Sequence, residues 1–191
     1  MSQYREILEA YLKTLDIKAD KVLDVGGSAL SIIDRVNSWS VNDYQIADNG
    51  LEEGKRDFFL DLNASQSMFE IKREWDLMFC LEVMEYIYDP RRAIGVMSTG
   101  LKAGGILYIT FPTTYPVHNP YNNDYLRYTK FGAIKLLEEA GFKIEEIIPR
   151  TMKAPDIYNT SCIAEGYKTR GASSSGTLFD AGYIIRCKKI W

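Results

Sequence analysis

Residues 75–112 read WDLMFCLEVMEYIYDPRRAIGVMSTGLKAGGILYITFP. The apolar run WDLMFCLEV gives a buried strand. Asp89 then caps a helix that has Pro90 in its first turn. Ala93, Ile94, Met97 and Leu101 make the apolar side of that helix, and Gly104-Gly105 are expected to close it. GGILYITFP follows as another strand, ended by Pro112.

The same alternation extends in both directions. Upstream, residues 3–15 place Ile7, Leu8, Tyr11, Leu12 and Leu15 on one helical stripe. KVLDVGG is a short buried strand, and a helix is expected over about 29–37. NDYQIAD and DFFLDL are further strands, ending at Asp48 and near Asp61, and a helix over about 64–73 precedes Trp75. Downstream, Thr129 opens the helix KFGAIKLLEEA, with Gly141 placed for a left-handed end. FKIEEIIP and LFDAGYIIRCKK are the last two strands. No clear helix separates them, so an antiparallel hairpin at the sheet edge is expected. Strands and helices alternating in this way specify a parallel sheet covered on both faces, an α/β three-layer sandwich.

Composition narrows the function classes. The 191 residues suit one domain, and 46% hydrophobic with 26% charged residues is ordinary for a globular chain. A net charge of −3 argues against a general nucleic-acid binder. Cys80, Cys162 and Cys187 show no metal-ligand spacing, and a single histidine removes most zinc arrangements, so no metal is expected. Cys80 and Cys187 lie in strand-like apolar runs and are read as buried thiols. No apolar run approaches the ~18 residues of a membrane span, and no leader pattern opens the chain. A cytoplasmic protein without a membrane span is the expectation.

In such sheets ligands bind outside the carboxyl ends of the strands. Asp24, Asp48, Asp61, Cys80, Leu81 and Glu82 all stand there. Asp48 lies 24 positions after Asp24, near the ~20 expected between a glycine turn and a ribose-binding carboxylate. Each aspartate alone could simply cap a turn; three in register exceed what a core needs. A nicotinamide site would need Gly-x-Gly-x-x-Gly, and VLDVGGSALSI (22–32) lacks that spacing.

VLDVGG, DYQIAD, FFLDL, residues 75–112 and KLLEEAGFKI together resemble the class I S-adenosylmethionine-dependent methyltransferases over roughly residues 20–148. The stretch from Trp75 to Pro112 carries most of the resemblance. It is similar to the family's strand, Glu-Val-Leu-Glu-His, Asp-Pro, helix, Leu-Lys-Pro-Gly-Gly, strand. The resemblance implies a Rossmann-like, seven-stranded, mostly parallel sheet with an antiparallel last strand, in a single domain over 1–191. It implies S-adenosyl-L-methionine as cofactor. Asp24, Gly26, Gly27 and Ser28 would then follow its methionine end, Asp48 with Asn49 its ribose, and Asp61 with Leu62 its adenine. Cys80, Leu81 and Glu82 would border the methionine side. Ser28 and Leu30 depart from the family's repeated glycines, Tyr86 from its histidine and Ala103 from its proline. Leu30 is expected to face the sheet–helix interface, because this position begins a helix whose inner face must be apolar.

The segment 112–128 is expected to form the acceptor pocket, and 150–177 a second substrate loop closing as a lid. Tyr115, Tyr121 and Tyr125 would stack on a hydroxyl-rich ligand, and Arg127 would clamp an anionic group. The alternative for Arg127 is an ion pair with Asp124 or Glu82 that shapes the loop. His118 is the first candidate for a general base and Asp124 the second. DYLRYT with LLEEAGF resembles methyltransferases associated with surface-polysaccharide biosynthesis, which implies O-methylation of a sugar, glycan or other small hydroxyl compound. Two alternatives stay open: a nucleic-acid methyltransferase, disfavoured by charge, and a non-catalytic cofactor-binding domain acting through a partner. The chain is expected to be a monomer or homodimer.

Overall fold

The computed structural model describes residues 3–50, 56–64, 74–117, 121–153 and 178–191. Among these residues three helices, α1 (Gln3–Leu12), α2 (Pro90–Gly100) and α3 (Lys130–Glu139), pack on seven strands. These are β1 (Asp16–Val25), β2 (Ser38–Asp48), β3 (Phe58–Phe59), β4 (Trp75–Cys80), β5 (Leu101–Pro112), β6 (Phe142–Lys153) and β7 (Leu178–Lys189). The sheet order is β3-β2-β1-β4-β5-β7-β6. All neighbours from β3 to β5 are parallel, and β7 runs antiparallel between β5 and β6. The α/β sandwich and seven-stranded sheet expected from the sequence are therefore present, with the last strand reversed.

Side-chain alternation splits the core into two layers. Met78 and Cys80 of β4 join Leu23 and Val25 of β1 under Ile94 and Met97 of α2 and Leu137 of α3. Leu77 and Phe79 point to the other face, with Val22, Ile32 and Leu8 and Leu12 of α1. Phe79 is fully buried and stacks on Tyr108, ring centroids 5.1 Å apart.

Helix ends follow local chemistry. The Asp89 carboxylate accepts from Arg92 N at 3.2 Å with Pro90 opening α2, and Thr129 Oγ1 accepts from Gly132 N at 3.1 Å at the start of α3. Gly141 has a φ of +85° just past α3. Three expectations are corrected. The helix over 29–37 reduces to a single 3-10 turn, Ile33–Arg35. Gly104-Gly105 do not close α2, which ends at Gly100. Trp75 pairs with Leu101 and Leu77 with Ile106, so β5 carries a bulge between them, and Gly104 at φ +80° sits in it. The expected helix at 64–73 falls almost entirely outside the described residues, as does Cys162. Among the described residues no helix is long and apolar enough to cross a membrane.

Strand order reverses at β1, where β2 continues to one side and β4 to the other. Val25 pairs with both Ala47 and Cys80, which brings the carboxyl ends of these three strands into one row. Such a switch point opens a crevice. Phe79→Ala should lower the unfolding free energy by about 3–5 kcal/mol, read from urea denaturation with an unchanged m-value.

Candidate cofactor and substrate cleft

A cleft of about 810 Å³ opens above that row. Its wall includes Gly26 after β1, Asp48 and Asn49 at the end of β2, Asp61 and Leu62 after β3, and Leu81 and Glu82 after β4. Seven of the eleven residues expected at the cofactor thus share one cavity. Asp24, Gly27, Ser28 and Cys80 do not line it.

Asp24 acts from beneath. It is only 4% exposed, and its Oδ2 accepts from Ile32 N at 3.2 Å and from the Tyr44 hydroxyl at 2.8 Å. Burial pushes its pKa up to about 6, against the pull of those bonds. The chain crosses over this carboxyl at Gly27, where a Cβ would clash with it. Gly26 has a φ of +80° and faces Val83 so closely that a Cβ would overlap the valine methyl.

Leu30 corrects the expectation placed on it. It is 47% exposed and lines the cleft, while Ile32 is fully buried in the core. The reason is the Asp24 bond to Ile32 N, which draws Ile32 inward and leaves Leu30 turned out. Arg35 Nη1 holds the Leu30 carbonyl at 3.4 Å and pairs with Glu9 of α1 through Nη2 at 2.8 Å.

Asp48 is well supplied with donors. Its Oδ2 accepts from Ser28 Oγ at 2.5 Å and Ser28 N at 3.3 Å, and its Oδ1 from Gly50 N at 2.7 Å. Asp61 Oδ1 accepts from Asn63 N at 2.8 Å. Asn63, which sequence reasoning passed over, ties this wall to the next. Its Nδ2 donates to Tyr86 O at 2.9 Å and its Oδ1 accepts from Tyr88 N at 3.1 Å.

At the opposite end the cleft meets α1. Glu82 has a φ of +58°, the one positive value at a non-glycine among the described residues. Two residues hold it there. Thr110 Oγ1 accepts from Glu82 N at 2.7 Å, and Arg150 Nη1 and Nη2 reach its carboxylate at 2.5 and 3.2 Å. Arg150 is 0% exposed, donates twice to Tyr4 O, and stacks its guanidinium 3.1 Å from the Tyr4 ring centre. No local pattern announces Arg150, since its partners come from α1 and the end of β4.

Glu85 is a further residue that the sequence did not single out. It lines the cleft, is 3% exposed, and carries a pKa raised to about 7 by burial and then by the charge of Glu82. Its carbonyl accepts from Tyr125 N and Leu126 N at 2.7 and 3.2 Å, which fastens the expected acceptor loop to the β4 end. The signal was present as Glu82 and Glu85 three residues apart, but its burial was not readable.

In that loop Tyr115 and Tyr125 line the cleft. Tyr115 packs on Tyr4 with centroids 4.5 Å apart, and Tyr125 meets Tyr88 edge-on at 5.8 Å. Arg127 and Asp124 lie behind them as an ion pair, Nη2 to Oδ2 2.7 Å with Nη1 on Oδ1. Arg127 also donates to Tyr115 O at 3.0 Å and Pro116 O at 3.2 Å, so it braces the loop. His118, most of 150–177 and the Tyr121 side chain lie outside the described residues. Among those described, no three histidine, cysteine or acidic side chains converge as a metal site.

No protein-family model and no curated protein matches the sequence. Solved structures match the fold along nearly its whole length. A complex of the Haloferax volcanii Trm112 methyltransferase activator with a candidate methyltransferase contains a similar chain, with a TM-score of 0.63 at 15% identity, covering 99% of this chain and 90% of that one. An S-adenosylmethionine-dependent methyltransferase from Mesorhizobium loti gives 0.59 at 12% identity, covering 98% of both chains. The [4+2]-cyclase SpnF also gives 0.59, at 17% identity, over 98% of this chain and 80% of that one. The architecture is thus that of the S-adenosylmethionine-dependent methyltransferase fold, which these structures show carrying more than one chemistry.

Proposed function

We propose that the protein is an S-adenosylmethionine-dependent methyltransferase that methylates a hydroxyl of a sugar, glycan or related small molecule. The observation that carries this reading is the row formed by the Gly26 turn, Asp48 and Asp61 along one cleft at the strand-order switch point. Its volume of about 810 Å³ falls in the usual range for small-ligand sites, about 300–1,000 Å³. Asp48 with Asn49 holds the ribose, Asp61 with the Leu62 amide holds the adenine, and Gly26, Leu81 and Glu82 border the methionine. Asp24, Gly27 and Cys80 support this wall from below.

Bound cofactor supplies an electrophilic methyl group on a cationic sulfonium. The chain's share is to hold an acceptor oxygen about 3 Å from that methyl, in line with the leaving sulfur. Tyr86, Tyr115 and Tyr125 offer ring faces and hydroxyls for a sugar. Glu85 is placed to take the acceptor proton. Glu82 pairs with Arg150, whereas burial and the neighbouring Glu82 raise Glu85 to about 7, where a general base works best. Asp124, with both oxygens on Arg127, is less available for that task than Glu85. His118 remains a base candidate from its place in the loop.

A second reading, a cofactor-binding domain that acts through a partner without turnover, draws support from Leu30 in the cleft and Ser28 on Asp48.

Calorimetry should detect micromolar binding of S-adenosylmethionine, weakened roughly tenfold or more by Asp48→Ala. A chain that binds neither S-adenosylmethionine nor its demethylated product is not a methyltransferase of this kind. Incubation with labelled cofactor and a panel of nucleotide sugars and glycans should then reveal an acceptor; binding without transfer to any of them would favour the second reading.

With that acceptor, the wild-type rate should rise with pH through about 7 as Glu85 ionises. Glu85→Gln should remove this limb and about 10²–10⁴ of the rate. The same variant has a stability signature. The folded chain keeps the Glu85 proton to about 7, while an unfolded glutamate loses it near 4.5. Wild-type stability should therefore fall relative to Glu85→Gln between those pH values and run parallel above them, seen as melting-temperature differences.

A further inference from the structure

Ser28 occupies a place in the turn where glycine would leave no side chain, and its hydroxyl has a definite target. It donates to Asp48 Oδ2 at 2.5 Å, while its own amide donates to the same oxygen at 3.3 Å. Gly50 N takes the other oxygen at 2.7 Å. An ionised carboxylate offers about four acceptor positions. Three are filled, and a bidentate hold on a ribose needs two. One donor must leave, and the two amides are fixed by the course of the backbone. The Ser28 hydroxyl alone can swing away by rotation about one side-chain bond.

We propose that Ser28 is an internal competitor for the ribose-binding carboxylate. Its hydroxyl stands in for a ribose hydroxyl on Asp48 and must be displaced when the nucleoside enters. The inference rests on the proposed role of Asp48 as ribose holder. It makes Ser28 a residue that sets cofactor affinity and weakens it, in contrast to the supporting role expected from sequence. It also makes Ser28 a selectivity element. A nucleoside without ribose hydroxyls gains nothing from displacing Ser28, whereas one with both must break the Ser28 bond to gain its own.

The test is calorimetric titration of the full chain with S-adenosylhomocysteine, comparing wild type with Ser28→Ala, Ser28→Gly and Asp48→Ala. Both Ser28 variants should bind roughly three- to tenfold tighter, the worth of one hydrogen bond no longer broken on entry. The preference for adenosine over 2′,3′-dideoxyadenosine should widen by a similar factor. A serine that merely shaped the turn would show the opposite, with weaker binding of both nucleosides and a lower melting temperature. Unchanged or weaker S-adenosylhomocysteine binding in both variants, with the wild-type melting temperature retained, overturns the proposal. So does an equal gain for the two nucleosides. Wild-type binding that survives Asp48→Ala undamaged removes its premise, and no binding by any form overturns the proposed function itself.

Discussion

A carboxylate buried under the glycine turn sets the course of the chain at the centre of the sheet. Asp24 closes β1, receives the Ile32 amide and the Tyr44 hydroxyl, and lies where any side chain on Gly27 would stand. Those contacts fix three things together. The backbone must cross at Gly27, Ile32 must enter the core below α1, and Gly26, Ala29 and Leu30 must line the cleft. Burying a carboxylate there is costly, and its pKa near 6 records that cost. The bonds it makes are what keep an irregular turn in one conformation where a regular helix was expected.

A second buried charge does comparable work at the far end. Arg150 of β6 joins the Glu82 carboxylate after β4 to the Tyr4 carbonyl on α1. Removing one member would strand another in a low-dielectric site, so the three elements are held as a unit. The pair also governs its neighbour. Arg150 fixes the Glu82 carboxylate in place, and Glu85 three residues on is raised by its own burial and then by the charge of Glu82. The Glu85 carbonyl, through Tyr125 N and Leu126 N, carries the same anchor into the tyrosine-bearing loop.

What the sequence disclosed follows from how local each feature is. Strands were legible because apolar runs stop at Asp, Gly or Pro, and α2 and α3 because Asp89 and Thr129 cap them through bonds within three residues. The reading failed where contact across the sheet overrode local preference. Ala29 to Asn37 has helical periodicity, yet the buried Asp24 carboxylate eight residues back holds the Ile32 amide, and only a 3-10 turn at Ile33–Arg35 follows. Gly104-Gly105 look like a helix end, but the register between β4 and β5 uses them in a bulge. The cleft was legible where strand ends alone define it, at Asp48, Asp61 and Glu82. Arg150 lies 68 positions from Glu82, and no spacing rule reaches that far. The low exposure of Glu85 likewise depends on a loop that packs over it.

The charges of the cleft bear on direction as well as on binding. Asp48, Asp61, Glu82 and Glu85 all face it, while its two arginines, Arg5 and Arg35, are both bonded to Glu9. Such a wall favours a cation over a neutral or anionic ligand. On the proposed reading, it holds a sulfonium more firmly than the neutral thioether left after transfer. The same field disfavours an acceptor whose phosphates would lie close to the carboxylates, and favours a neutral, hydroxyl-rich one presented between tyrosine rings. Proton uptake by Glu85 would then lower the negative charge of the wall as the positive charge of the cofactor is lost. The change in the ligand and the change in the protein compensate within one site, and release of the product meets little electrostatic resistance.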